Sequence, residues 1–220
     1  MHASDLIARD IPHLRPEDTV ARALDWMEEF KVSELPVVDK GRLVGLVRDQ
    51  DLGELSEPRA LVASAMASVE VPFVRDGEHI YAVMKVMDER GLTILPVLDM
   101  NGAYQGAVSE HVALRRLAEV VNIHEPGSVV VLEMNVNDYS LQEIARIVEG
   151  NDGKLLSVYS HTSPGTNRIE VTLKINREDI SGILQTFERY EYTVRSTYQR
   201  STFHDGLRGR YDELMRYING

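Results

Sequence analysis

The side chains with the most reactive chemistry are scattered along this sequence. It contains no cysteine, which excludes disulfides, thiol catalysis and thiolate zinc sites. Its seven histidines include no pair at the i, i+4 spacing with which one helix face holds a metal ion, and no H-E-x-x-H. We therefore interpret the histidines as surface residues and expect no metal site.

Catalytic motifs are also missing from the sequence. An enzyme needs a nucleophile with a base, an acid–base pair or a metal in one pocket. Neither G-x-S-x-G nor G-x-x-x-x-G-K occurs, the carboxylates are dispersed along predicted helix faces, and Gly41 and Gly45 belong to a predicted hairpin. We expect no catalytic residues and no enzymatic activity.

Composition predicts a folded protein with few classes of partner. The net charge of -11 would repel a nucleic-acid backbone, so we expect no nucleic-acid partner. No stretch reaches the roughly 20 apolar residues of a membrane span, and the first residues lack a basic segment followed by an apolar one. We expect no membrane segment and a cytoplasmic protein. With 220 residues the chain can form one large domain or two to three small ones.

An internal repeat organises the first half of the chain. The segment Leu35-Pro36-Val37-Val38-Asp39 returns 60 residues later as Leu95-Pro96-Val97-Leu98-Asp99, and residues 11–14 return as 71–74. Between these segments, apolar residues at i, i+3, i+4 and i+7 predict one amphipathic helix in each repeat, over 19–30 and 79–90.

Short polar residues mark the helix starts, and glycines mark the turns that follow. Asp18 or Thr19 is the predicted N-cap of the first helix, and Asp76 that of the second. Each helix precedes two short apolar strands, joined by turns at Lys40-Gly41 and at Asn101-Gly102.

A further helix closes each repeat. It is predicted from Asp49 to Leu55 in the first repeat, ending before Pro58, and from Ser109 to about Val121 in the second. Each repeat therefore has the element order βαββα.

This repeated unit resembles the cystathionine-β-synthase (CBS) domain. The resemblance assigns residues 1–60 to the first repeat and 61–121 to the second. It implies that the pair, a Bateman module, packs as one pseudo-symmetric disc with two clefts that bind adenosine nucleotides. It implies AMP, ATP or another adenosyl compound as the ligand.

The ligand signature of that family is G-φ-φ-T/S-x-x-D, and each repeat retains half of it. Residues 45–51 keep Asp51 but have Arg48 in place of the hydroxyl, whereas residues 106–112 keep Ser109 but have Val112 in place of the aspartate. The resemblance implies that Asp51 accepts the ribose hydroxyls and that Arg48 binds phosphate. Further residues expected beside the base are Pro12, Leu35 and Pro36.

Structural roles for the same residues remain open. Asp51 can simply cap or solvate its helix, and Arg48 can be a surface residue. Ser109 can be an ordinary N-cap, since its cleft lacks the carboxylate. If only one cleft binds a ligand, we expect it to be the first.

The last third of the chain predicts a different domain. A linker over 122–128 contains Pro126 and Gly127. Residues 129–200 then predict the order βαββαβ, with Ser140-Leu141-Gln142-Glu143 as a capping box and Asn176 as the cap of the second helix. Residues 201–220 show the apolar stripe of a C-terminal helix.

This βαββαβ segment resembles the ACT domain, a ferredoxin-like sensor of amino acids. The ACT signature has Pro-Gly at the first strand–helix junction, where this chain has Asp138-Tyr139, and the bulk of Tyr139 favours a structural use. A CBS pair followed by an ACT-like domain resembles the AcuB-type proteins, named for acetoin utilisation.

The expected fold class is therefore α+β, and the expected function is a non-catalytic regulatory sensor of an adenosyl ligand. One alternative is a structural adaptor with empty clefts, and another is an amino-acid sensor that acts through the ACT-like domain. We also expect a homodimer, because the apolar helices offer more surface than one small pair can cover, and a regulated protein partner whose identity is unknown.

Overall fold

The computed structural model describes residues 1–53, 57, 59–66 and 70–199. The chain is a mixture of helices and strands, and it divides into two compact units, Met1–Leu117 and Ala118–Gly220. Among the described residues, no helix is both long and apolar enough to span a bilayer. The predicted helix over 201–220 lies outside the described residues.

The first repeat forms two helices around an antiparallel hairpin. Its elements are α1 (Val20–Phe30), β1 (Glu34–Asp39), β2 (Arg42–Arg48) and α2 (Asp49–Gly53). The turn residues Lys40 and Gly41 have φ of 48° and 78°, as a tight hairpin turn requires. The predicted continuation of α2 to Leu55 lies outside the described residues.

The second repeat has the same order with one more strand. Its elements are β3 (Val74–Arg75), α3 (Ile80–Arg90), β4 (Ile94–Leu98), β5 (Tyr104–Ser109) and α4 (Glu110–Val120). Strand β3 pairs in parallel with β4, and β4 pairs antiparallel with β5. The predicted βαββα order is confirmed here.

The first strand of the first repeat is reduced to a single bridge, between Leu14 and Val37. In the second repeat the backbone N–H of Asp76 extends the pairing by donating to Leu98 O at 2.9 Å. The equivalent residue in the first repeat is Pro16, which has no N–H to donate. Proline thus accounts for the difference between the two sheets.

Equivalent residues cap the long helices of the two repeats. Thr19 caps α1 as predicted, since its side chain accepts a hydrogen bond from Arg22 N at 3.3 Å. The prediction that Asp76 caps α3 is wrong. The cap is His79, 60 residues after Thr19, whose ring nitrogen accepts from Tyr81 N. Asp76 makes backbone hydrogen bonds elsewhere: its N–H donates to Leu98 O, and its C=O accepts from Ser4 N.

The two repeats exchange their leading turns. The 3-10 turn Ala3–Leu6 packs into the core of the second repeat, and Val62 at the start of that repeat packs into the core of the first. Ala8 N donates to Ala107 O at 2.9 Å. Ile7 lies so close to Gly106, whose φ is 147°, that a side chain at this glycine would collide with it.

The second unit contains a four-stranded antiparallel sheet of β6 (Ser128–Asn135), β7 (Leu155–Thr162), β8 (Arg168–Ile175) and β9 (Thr193–Tyr198). The strands lie in the order β7-β8-β6-β9. Buried residues alternate along β6 and β8, and the inward face packs against the two helices around Phe187. The order along the chain is βαββαβ, with α5 (Leu141–Gly150) after β6 and α6 (Ser181–Arg189) after β8.

One of the two caps predicted in this unit is correct. Ser140 caps α5, because its hydroxyl accepts from Glu143 N at 3.3 Å. Asn176 does not cap α6, which begins five residues later at Ser181. The Asn176 side chain accepts a hydrogen bond from Lys154 N at 2.7 Å, so its capping capacity is used by another loop.

Candidate functional site

A cavity of about 530 Å³ opens where the end of α1 faces the start of α4. The first repeat contributes Asp10 and Ile11, from the segment before α1, and Phe30 and Lys31, from the C-terminal end of α1. The remaining lining residues are Val32, Thr93, Ser109, Glu110, His111, Val112 and Leu114. The cavity therefore draws on both repeats.

Two helix ends form this part of the cavity, the C-terminus of α1 and the N-terminus of α4. Helix α1 stops at Lys31, whose left-handed backbone (φ 55°, ψ 49°) turns the chain toward β1 while its N–H binds Met27 O. On the other side β5 ends at Ser109, and the hydroxyl of Ser109 accepts from Val112 N at 3.3 Å. Ser109 thus caps α4 and lines the cavity.

Buried hydrogen bonds hold the loop that carries Thr93. Glu34 is 2% exposed, and its carboxylate accepts from Thr93 N at 3.0 Å and from Thr93 Oγ1 at 2.6 Å. The same hydroxyl accepts from Ser33 N at 2.9 Å, and Glu110 N donates to Thr93 O at 2.9 Å. Thr93 therefore ties together the start of β1 and the start of α4.

The lining carries both signs of charge beside an apolar wall. Asp10 and Glu110 supply carboxylates, Lys31 supplies an ammonium, and the first turn of α4 supplies backbone N–H groups. Ile11, Phe30, Val32, Val112 and Leu114 form the apolar part. Such a site suits a ligand with an apolar ring, hydroxyl donors and an anionic group.

The structure does not bring the six predicted site residues together. Ser109 lines this cavity, whereas Asp51 is exposed on α2 and Arg48 donates to Arg90 O at 3.4 Å, at the end of α3. Pro12 lines a separate cavity of about 380 Å³ beside Trp26.

Leu35 and Pro36 are buried within β1. Leu35 is 0% exposed and belongs to the core of the first repeat, and Pro36 O accepts from Leu14 N at 2.8 Å. Their side chains stabilise the sheet that carries the ligand motif and do not border open space.

Sequence reasoning does not identify Asp10, Lys31, Thr93 or Glu110 as lining residues. A signal was available for Lys31, which stands 60 residues before Gly91 in the aligned repeats. Both residues end a long helix in the left-handed conformation, where glycine is the ordinary choice. The signal is weak, because Asn122, Asp152 and Glu191 also have positive φ just after other helices.

The second unit has a cavity of about 320 Å³ where β6 leads into α5. Glu133, Asp138, Glu143 and Glu191 line it with Arg168 and Tyr192 among other residues. Tyr192 OH donates to Glu143 at 2.9 Å, and burial together with this hydrogen bond raises the pKa of Tyr192 to about 12. Tyr139 is partly buried and packs against the core of the unit. No cluster of three or more potential metal ligands occurs among the residues described.

Comparison with known proteins finds a family match within the first repeat. Residues 3–55 match the family model of the CBS domain. Inosine-5'-monophosphate dehydrogenase of Methanocaldococcus jannaschii is 28% identical over 115 residues, which are 52% of this chain and 23% of that enzyme. The same enzyme of Streptococcus pyogenes is 24% identical over 99 residues, 44% of this chain and 20% of the enzyme. The chain thus spans less than a quarter of these curated relatives.

Solved structures with similar folds include a CBS domain pair/ACT domain protein from Thermotoga maritima, with TM-score 0.49 and 28% identity over 54% of this chain and 98% of that one. CBSX2 in complex with AMP has TM-score 0.46 and 26% identity, covering 54% of this chain and 97% of that one. The cytosolic domain of the Mg2+ channel MgtE in complex with ATP has TM-score 0.45 and 28% identity, covering 52% of this chain and 48% of that one. The CBS family match therefore covers the first repeat, and the second repeat has the same βαββα order of elements.

Proposed function

We propose that this protein is a non-catalytic regulatory module that binds an adenine nucleotide or a related adenosyl ligand in the cavity at the start of α4. The observation that carries the proposal is the position of that cavity. It opens at Ser109, the hydroxyl residue of the second ligand motif, and has a volume of about 530 Å³. Pockets for small ligands are of this size.

The lining offers a partner for each part of a nucleotide. The apolar wall at Ile11 and Val32 suits an adenine ring, and the carboxylate of Asp10 can accept ribose hydroxyls in place of the aspartate that Val112 replaces. Ser109 and the first N–H groups of α4 suit an anionic group. AMP and ATP are therefore the first compounds to test.

The first cleft is proposed as a weaker second site. Asp51 is exposed and free to accept ribose hydroxyls. Arg48, however, already donates one guanidinium N–H to Arg90 O at the end of α3, so a phosphate would compete with that contact for the orientation of the side chain.

We also propose that the protein does not catalyse a reaction of its nucleotide ligand. Among the described residues, no carboxylate or imidazole accepts a hydrogen bond from the Ser109 hydroxyl, which serves as the N-cap of α4. The curated relatives share less than a quarter of their length with this chain, so their activity need not accompany the match. We expect purified protein to leave ATP and AMP unchanged.

For the second unit we propose an ACT-type, ferredoxin-like domain, and with it the AcuB-type layout. The support is the strand order β7-β8-β6-β9 with every neighbouring pair antiparallel. Because Tyr139 fills the β6–α5 junction, we assign this domain to dimerisation or partner docking. Sensing of an amino acid in the nearby cavity is the alternative.

Calorimetry with AMP, ATP, NAD and S-adenosylmethionine tests the proposal on three forms of the protein. Wild type should bind at least one compound and gain thermal stability with its concentration. Ser109→Asp keeps a good N-cap but places a negative charge in the cavity, so nucleotide affinity should fall tenfold or more. Asp51→Ala should have a smaller effect.

The outcomes separate the two clefts. A loss of about tenfold in Asp51→Ala, with Ser109→Asp unchanged, would move the site to the first cleft. If wild type binds none of the four compounds, the regulatory proposal is wrong and a structural adaptor with empty clefts takes its place. Turnover of ATP that persists in a second, independent purification would contradict the non-catalytic assignment.

A further inference from the structure

Another cavity of the first unit lies beside the β1–β2 turn and has a volume of about 440 Å³. Residues 38–41 line it together with Tyr104 and with His13, Arg15 and Glu17. Among the described residues, this cavity and the one at Ser109 have no lining residue in common. Its volume is in the range of small-ligand pockets, so it can hold a ligand of its own.

Pro16 interrupts the strand pairing at this place. In the second repeat the N–H of Asp76 donates to β4, and the guanidinium of Arg75 donates to Asp99 O at 2.6 Å. Pro16, the equivalent of Asp76, has no N–H with which to extend the pairing with β1. Arg15, the equivalent of Arg75, is exposed, and its side chain has no hydrogen bond or ion pair with any other residue that the structure describes. The N–H donors of its guanidinium are therefore available to a ligand.

This cavity has hydrogen-bonding side chains at positions where the other repeat has apolar ones. The pairs, with the residue of this cavity first, are His13 and Phe73, Lys40 and Met100, and Tyr104 and Leu43. The rings of His13 and Tyr104 meet edge to face, with centroids 5.5 Å apart. Burial raises the pKa of the Tyr104 phenol above its ordinary value of 10.0, so this group is a hydrogen-bond donor at neutral pH. The differences between the repeats thus place polar groups around one cavity.

Charged side chains of both signs line the cavity without pairing with one another. Arg15 and Lys40 are cations, Glu17 and Asp39 are anions, and all four are exposed. Within the described part of the chain, no ion pair joins any two of them. Asp99, the equivalent of Asp39, uses its carboxylate to accept two backbone N–H groups of its own turn. A ligand with one carboxylate and one ammonium group would satisfy both pairs of charges.

We propose that this cavity binds a small zwitterion with one carboxylate and one ammonium group, which is the chemistry of a free α-amino acid. The carboxylate of the ligand lies beside Arg15 and Lys40, since a guanidinium matches the two oxygens of a carboxylate. The ammonium group lies beside Glu17 and Asp39, and the ring of Tyr104 contacts the apolar part of the ligand. This site is separate from the cavity at Ser109, so the inference does not rest on the proposed function.

The test begins with thermal unfolding of the full chain in the presence of each protein amino acid in turn. At least one should raise the midpoint with its concentration, and calorimetry then gives its dissociation constant. Arg15→Gln removes the cation from a side chain without described contacts, so the fold should be unaffected while the dissociation constant rises about tenfold. Lys40→Met, which introduces the residue of the second repeat, should weaken binding in the same direction. The N-acetyl and amide derivatives of the same amino acid each lack one charge and should bind wild type about tenfold more weakly.

Arg9→Gln is the matched control, because Arg9 is an exposed arginine of the same unit that does not line this cavity. It should bind the amino acid as wild type does. If no amino acid stabilised wild type, the inference would be wrong. An amino acid that bound Arg15→Gln, Lys40→Met and wild type equally would occupy another place, such as the cavity of the second unit, and would also overturn it. Equal affinity for the N-acetyl derivative would contradict the role of the two carboxylates.

Discussion

Glu34 links the two repeats through a buried carboxylate. It is 2% exposed, and both hydrogen bonds of its side chain come from Thr93 of the other repeat. The equivalent residue of the second repeat is Ile94, so the pseudo-symmetric pair contains a single carboxylate here. The network also includes Ser33 N, which donates to the Thr93 hydroxyl.

Glu34→Ala should destabilise the protein by about 2–3 kcal/mol, because a buried N–H and a hydroxyl lose a charged acceptor. Glu34→Gln keeps an acceptor oxygen and should cost less. Urea unfolding measures the difference. The exposed Glu28 of α1 is the control, and Glu28→Ala should change stability by less than about 0.5 kcal/mol. Equal effects of Glu34→Ala and Glu28→Ala would contradict the argument.

The sequence could not reveal this network. In the segment Glu34-Leu35-Pro36 a glutamate at the start of a predicted strand would ordinarily be exposed, since charged residues rarely lie fully buried. Its burial depends on Thr93, 59 residues away, which no local pattern indicates. The cap at Thr19 was predictable because it depends only on residues within one turn.

At the scale of elements, α6 has an unusual start. Its N-cap residue Ile180 has no side chain that can accept a hydrogen bond, so Asp179 takes that role from one residue earlier. Asp179 accepts from Ser181 N at 3.0 Å and from Ser181 Oγ at 2.7 Å. These hydrogen bonds lower the pKa of Asp179.

Asp179→Ala should therefore lower the urea midpoint at neutral pH. Because the pKa is lower in the folded protein than its ordinary value of 3.8, the stabilisation is present above that value and is lost as pH falls through the folded-state pKa. Wild type and variant should converge in strong acid. Glu178→Ala removes a neighbouring exposed carboxylate and should leave the midpoint nearly unchanged. A difference that persisted unchanged at low pH would rule out the carboxylate as its cause.

Strands and helices were the most predictable elements. The Lys40-Gly41 turn and the alternation along β8 specify their strands locally, and both appear as expected. Asn176 was misleading because a good capping residue can be used by any nearby loop, here by Lys154 N. Such competition depends on which segments meet in space.

At the scale of the whole molecule, the first unit retains an exposed apolar surface. Leu114 of α4 is 65% exposed and Tyr81 of α3 is 64% exposed. Leu114 also borders a groove of about 360 Å³ with Met84, Met87, Leu92 and Ala113. Apolar surface of this kind is typical of an interface.

We expect a homodimer, with a mass by light scattering of twice the 24.8 kDa of the chain. Leu114→Lys should weaken it, because burying a lysine without a partner in an interface is costly. Met100→Lys, in the β4–β5 turn, is the control at a residue that is 76% exposed. A monomer at micromolar concentration would contradict the prediction.

The lining residues of the cavity come from both repeats, which the repeat pattern in the sequence does not indicate. The motif around Ser109 was recognisable, but its neighbours Asp10 and Lys31 come from the other repeat. From the sequence resemblance we expected Pro12 and Asp51 to line the same cleft, because both belong to the first repeat. In the structure the first residues of the chain lie beside the second repeat, so residues about a hundred positions apart line one cavity.

The exchanged turns have a thermodynamic consequence. Ala3 and Leu6 complete the core of the second repeat, and Val62 completes that of the first, so neither core is closed until both are formed. Opening one half exposes apolar surface in the other, which couples their unfolding into one cooperative step. A ligand bound in the cavity at Ser109 would then slow amide exchange in the cores of both repeats. Binding at one place would therefore make the whole first unit more rigid.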